Sequence, residues 1–177
     1  MIRKFFLFSL MLLSFSTLNA DLVSNKTRFK AVFNIDENGK QTYINKNDLE
    51  GSFTFVWFFD LSCHYCKESL PKVKDVVEWV DEHYRDDIKI MFTSVRPQDF
   101  SKLREYLGQV GLEDRVISYV ETWEDLQYMN VNSTPTLIIL DPYMNIVDKI
   151  ENGTNPTTYK RHIRYILTKY QEAQRQK

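Results

Sequence analysis

Apolar residues recur along the chain in two different periods, and the switches between them mark out its elements. Residues 29–35 alternate, with Phe29, Ala31, Phe33 and Ile35 on one face, the period of a half-buried strand. Asp36-Glu37-Asn38-Gly39 is a turn sequence, and residues 41–44 return as a second strand, so a β-hairpin is predicted near the start. A second break is expected over residues 47–51. Residues 53–59 are a dense apolar and aromatic run between Gly51 and Asp60, which predicts a strand buried on both faces. Leu70, Val73, Val77, Val80 and Tyr84 then repeat at spacings of three and four, one apolar stripe on a long helix. Pro71 lies inside that helix and is expected to kink it, because its ring removes a backbone donor.

Further along, residues 88–95 predict a strand. Phe100, Leu103, Tyr106, Leu107 and Val110 mark a second amphipathic helix. A short strand over 116–120 and a short helix over 122–130 follow. Strands over 136–140 and 145–150 are joined by a turn at Asp141-Pro142. Asn155 caps a closing helix with Pro156 at its first position and Tyr159, Ile163, Ile166, Leu167 and Tyr170 facing inward. This order predicts an α/β fold, a mixed central sheet flanked by helices, with parallel strands first and the antiparallel pair last. Trp79 and Trp123 are expected to pack or to sit at the surface, and residues 171–177 to form a polar, solvated tail.

The N-terminus has a different pattern. Arg3 and Lys4 precede an apolar stretch over residues 5–18, and Leu18-Asn19-Ala20 offers a cleavage site, so residues 1–20 are expected to be an export signal peptide. The stretch is shorter than the ~20 residues of a spanning helix and contains Ser9, Ser14, Ser16 and Thr17. Leu18 is a poor residue for the third position before the cut, which keeps an uncleaved membrane anchor open. Residues 21–28 form a flexible lead-in to one domain over residues 29–170, and the compartment expected is the periplasm or its equivalent. A composition of 43% hydrophobic and 14% aromatic residues is enough for a core and argues against disorder. The net charge is −1, with no basic stripe interleaved with aromatics, so nucleic acid is not an expected partner.

Against an oxidising compartment, the cysteine count is informative. There are two, Cys63 and Cys66, and a disulfide between them closes a ring too small to restrain much chain. A chemical role explains the pair better than a structural staple. Cys63 falls at a helix N-terminus, where unpaired backbone donors and the helix dipole favour a thiolate. Cys66 is one turn on, near enough to form a disulfide. Attack by Cys63 on a substrate disulfide would give a mixed disulfide that Cys66 resolves, and the oxidised pair would run the reverse reaction on a dithiol. A zinc site would need two further ligands, and His64, His83 and His162 offer no ligand spacing, so neither a metal nor another cofactor is expected. His64 as an imidazolium would stabilise the Cys63 thiolate; the alternative is a solvent-facing residue in the first helical turn. Glu68, the nearest acid in sequence, is either a proton relay or an exposed helical carboxylate.

Residues 53–71, with Cys63-His64-Tyr65-Cys66 and Pro71 five residues beyond, resemble the thioredoxin superfamily, as does Ser133-Thr134-Pro135-Thr136 ahead of a strand. That resemblance implies a thioredoxin-like fold and a cis bond before Pro135, which would face the cysteine pair and keep metal ions off the sulfurs. It also implies that Thr134 presents its backbone to substrate. Phe33-Asn34-Ile35-Asp36, Gly39-Lys40, Leu49-Glu50-Gly51 and the segment 129–141 are similar to the exported TlpA/ResA-like thiol reductases, and the conjugation-associated TrbB group shares the outline. The implied activity is dithiol–disulfide exchange with protein thiols and disulfides as a reductase, with another protein, such as a membrane redox partner, handling the electrons. Three departures bear on this. Trp57 stands where thioredoxins carry a buried aspartate that handles the proton of the second cysteine. Ser62 replaces the usual tryptophan, and His64-Tyr65 lacks the proline common in reductases, Tyr65 resembling the disulfide isomerases. A DsbA/DsbC-like oxidase or isomerase, or a redox-inert binding or assembly factor on the same fold, are the alternatives.

Overall fold

The computed structural model describes residues 33–35, 40–43, 46–84, 87–153 and 155–175. The expected signal, the lead-in, residues 29–32, the turn at 36–39 and Ile44 lie outside them. Strands β1 (Phe33–Ile35) and β2 (Gln41–Tyr43) pair antiparallel as a separate two-stranded sheet, with Phe33 opposite Tyr43. The main sheet contains β3 (Phe53–Phe59), β4 (Ile88–Ser94), β5 (Val116–Tyr119), β6 (Thr136–Leu140) and β7 (Ile146–Glu151) in the order β5-β4-β3-β6-β7. β3, β4 and β5 run parallel, while β6 is antiparallel to β3 and β7 to β6. This is the mixed sheet that the element order predicts.

The central position of β3 accounts for its composition. All seven of its residues are buried, because helices cover both faces of the sheet. Successive side chains point to opposite faces. Phe53, Phe55, Trp57 and Phe59 therefore enter one core with residues of α2 (His64–Tyr84), α3 (Phe100–Gly108) and α5 (Pro156–Arg175). Val56 and Phe58 enter a second core with Met91, Ile138 and Leu140, and with Leu126 of α4 (Trp123–Tyr128). Trp79 packs inside the first core, with the Arg164 guanidinium 5.0 Å from its ring centroid, and Trp123 is exposed. Among the described residues no helix is long and apolar enough to cross a membrane.

Two expectations need correction. The break expected over 47–51 contains a short helix, α1 (Lys46–Leu49), anchored by buried Leu49 and released by Gly51 at φ +85°. The polar, solvated tail expected over 171–177 is exposed through Arg175, and it continues α5 to that residue. Gln, Glu, Ala and Arg are good helix formers, and the Lys169–Glu172 ion pair at 2.8 Å supports the last turns. α3 stops at Gly108, so Val110 packs against the first core from beyond the helix, in a turn that includes Gly111 at φ +73°.

Candidate active site

At its C-terminal end β3 runs into a tight, polar turn. Asp60 accepts hydrogen bonds at Oδ1 from the Ser62 N–H and Ser62 Oγ, both at 2.7 Å, and at its carbonyl from the Cys63 N–H at 3.0 Å. The turn brings Cys63 to the residue just before α2. Arg96 braces it from the end of β4, which the parallel register Phe59↔Ser94 brings alongside. Its Nη2 donates to Asp60 Oδ1 and Ser62 Oγ, each at 2.8 Å, and its Nε lies 2.7 Å from Asp60 Oδ2. Burial disfavours the Asp60 charge, but the hydrogen bonds from Ser62 and Arg96 outweigh it and hold the carboxyl below its ordinary value.

Arg96→Gln is therefore expected to destabilise the fold at pH 7 by about 1.5 kcal/mol, the low end for hydrogen bonds to a charged group, since Arg96 is 56% exposed and water screens it. A carboxyl with a lowered folded-state value stabilises above its unfolded value and loses that contribution as pH falls through the folded one. Denaturation of the two proteins across pH should accordingly converge below the ordinary carboxylate range; a gap that stays constant well below that range would remove Asp60 from the explanation.

The two sulfurs differ sharply. Cys63 is partly exposed; its thiol donates to the Thr134 carbonyl at 3.4 Å, and the Cys66 N–H donates to the Cys63 Sγ at 3.1 Å. A first-turn backbone donor, of the kind expected from the sequence, is thus in contact with the Cys63 sulfur. Cys66 is 2% exposed, and burial, with a further contribution from the Cys63 thiol beside it, pushes its thiol up to about 12. His64 is 77% exposed, and its Nε2 lies 3.0 Å from Glu68 Oε1, a surface pair on the first turns of α2. Tyr65 is exposed next to it, its ring centroid 5.9 Å from that of His64.

From the opposite side comes the loop before β6. The Thr134–Pro135 peptide is cis. Pro135 is buried against the site, and its carbonyl accepts from the Asn152 N–H at 2.8 Å, which ties the loop to the end of β7. Trp57, 2% exposed, lines a small cavity together with Cys66 and packs on Tyr159, ring centroids 4.9 Å apart. Among the described residues no group of three or more His, Cys, Asp or Glu side chains is arranged to hold a metal ion.

Cys63, Cys66, Thr134 and Pro135 thus converge, while His64 and Tyr65 form an outer rim. The Asp60–Arg96 brace and Tyr106, which lies close to Cys66, were not singled out from the sequence. The available signal was positional: both members of the brace lie within two residues of the ends of adjacent parallel strands, whose carboxyl ends are where sites form in sheets of this kind.

A family model described as thioredoxin-like matches residues 51–146. No curated protein matches the chain. Among solved structures, DsbF from Mycobacterium tuberculosis is similar at 14% identity, with 80% of this chain and 96% of that one covered and a TM-score of 0.61. A putative thiol:disulfide interchange protein DsbE from Chlorobium tepidum is similar at 15% identity, covering 77% and 90%, with a TM-score of 0.59. StoA from Bacillus subtilis is similar at 17% identity, covering 74% and 95%, with a TM-score of 0.54. At these identities the likeness is one of fold. The matched family segment, however, spans more than half of the sequence and takes in β3, the cysteine pair and the loop through Pro135, so the chain belongs to the thioredoxin-like family.

Proposed function

We propose that this protein is an exported thiol–disulfide oxidoreductase that reduces disulfides in protein substrates. The observation that carries this reading is the asymmetry of the dithiol. One sulfur is accessible and meets a backbone donor, and the other is buried one turn behind it. The Cys63 thiolate attacks a substrate disulfide, forming a mixed disulfide and releasing one substrate thiol. Cys66 then attacks the Cys63 sulfur and loses its proton to the second departing substrate thiolate. The substrate gains two electrons and the Cys63–Cys66 disulfide forms. A dithiol on another protein, such as a membrane redox partner, re-reduces it.

In this reading the partly exposed Thr134, whose carbonyl touches the Cys63 sulfur, presents backbone to the substrate, and Pro135 shields Cys66. His64 and Tyr65, exposed at the rim, contact incoming protein and modulate the thiolate. Export is supported by the pattern of residues 1–20. It is also supported by the description of one similar structure, at 14% identity and a TM-score of 0.52, as a secreted Mycobacterium tuberculosis disulfide oxidoreductase. The reductase direction is supported by the TlpA/ResA-like sequence features.

Equilibrating residues 21–177 against glutathione buffers tests both parts. A potential near or below about −250 mV is expected for a reductant. A potential above about −180 mV would turn the assignment to an oxidase or isomerase. Failure to exchange with glutathione at all would remove the enzyme reading.

A further inference from the structure

Behind Cys66 the first core is incompletely filled. A cavity of about 10 Å³ lies there, lined by Trp57, Cys66, Ser69, Tyr106 and Pro135 together with apolar side chains. That volume suits a single water and nothing larger, provided two to four polar groups hold it. Three buried side-chain polar atoms among the described residues have no hydrogen-bond partner within the protein: Thr54 Oγ1, Trp57 Nε1 and Tyr106 Oη. Two of these three belong to side chains that line this cavity. Trp57 and Tyr106 are 2% and 6% exposed, so bulk solvent does not satisfy them. Leaving a buried donor unpaired costs more than a made hydrogen bond contributes, and such an atom calls for an explanation. The neighbouring hydroxyls are already committed. Ser69 Oγ donates to the Cys66 carbonyl at 3.1 Å, and the Tyr159 hydroxyl donates to the Gly153 carbonyl at 2.7 Å.

We propose that the cavity is a water site in which Trp57 Nε1–H and Tyr106 Oη–H donate to one water, and that this water donates to the Cys66 sulfur as it becomes a thiolate. No atom is consumed. The Cys66 proton passes to the departing substrate thiolate, and the water, phenol and indole keep theirs. The groups facing Cys66 exclude a base in this role. They are Cys63 on its own helix, Asp60 at the end of β3, already bound to Arg96, the neutral Thr134 loop, Tyr106 from α3 and Tyr159 from α5. Burial, and secondarily the charges of the two sulfurs, raise the Tyr106 phenol above its ordinary value, so it remains a donor. The device thus lowers the cost of a buried thiolate without accepting its proton. Tyr106 and Trp57 are positioning residues that act through the water.

The proposal rests on the assignment of Cys66 as resolving thiol, but its test does not require turnover. In a Cys63→Ser background of residues 21–177, the Cys66 titration is followed by the ¹³Cβ chemical shift of the labelled cysteine. Tyr106→Phe and Trp57→Phe are each expected to move that titration upward by about one unit, a tenfold loss of thiolate at fixed pH. In the two-cysteine protein the same substitutions should slow resolution of a preformed glutathione mixed disulfide about tenfold, while Cys63 alkylation changes less than twofold. A Cys66 titration that stays in place in both variants overturns the proposal, as does a Tyr106→Phe protein that only melts earlier. Absence of any exchange would overturn the proposed enzyme instead, leaving the titration readable.

Discussion

Cys63→Ser is expected to reduce thiol–disulfide exchange to the uncatalysed background, whereas Cys66→Ser is expected to keep the first half of the proposed reaction and accumulate a mixed disulfide. The thiolate is the attacking species, and of the two sulfurs only Cys63 is both reachable and in contact with a free backbone donor, the Cys66 N–H at 3.1 Å. A serine hydroxyl at position 63 stays protonated at neutral pH and cannot replace it. Cys66 is no substitute either. It is buried, its thiol is pushed up to about 12, and it reaches only a sulfur already attached at position 63. Without Cys66 the adduct on Cys63 has no internal resolving thiol and persists. Reduction of insulin disulfides measures the loss in Cys63→Ser, and intact mass after exposure to oxidised glutathione detects the trapped adduct in Cys66→Ser. Adduct on Cys63→Ser in similar yield would reverse the two roles.

Phe55→Ala and Phe58→Ala are each expected to cost about 3–5 kcal/mol of folding free energy, the range for truncating a fully buried aromatic side chain. A domain of this size has about 5–15 kcal/mol in total, so either loss is a large fraction of it. The two rings are at most 1% exposed and enter opposite cores, Phe55 the one shared with α2, α3 and α5, Phe58 the one beside α4. They share no packing partners across the sheet, so the two costs should add to about 6–10 kcal/mol in the double variant. Urea denaturation of each single variant checks the magnitudes. Tyr65→Ala, at an exposed site on the first turn of α2, is the control and should stay within about 0.5 kcal/mol of the parent. A loss below about 1 kcal/mol for both phenylalanines would mean that the core around β3 is not what holds the sheet together.

The sheet and its helices were legible in the sequence wherever burial imposes a period. The unbroken apolar run of β3 and the stripe along α2 both exist because each element must hide a defined face, and that requirement leaves its mark locally. The cysteine pair was legible for a similar reason, since a spacing of three on a helix is itself a distance. Elements without a buried face left no such mark. α1 contributes little more than Leu49 to the core, so its segment reads in the sequence only as a break.

The sequence alone determined the fold class, the order of elements and the two sulfurs. Tertiary structure decided what surrounds them. Thr134 meets Cys63 across 71 positions because β6 returns antiparallel to β3, and Arg96 reaches Asp60 across 36 because β4 runs parallel beside it. The contact of Trp57 and Tyr106 with a cavity behind Cys66 depends on how α3 packs over the sheet. Local periodicity records which face an element buries, but not which neighbour it is buried against; register and packing fix that only once the chain has closed on itself.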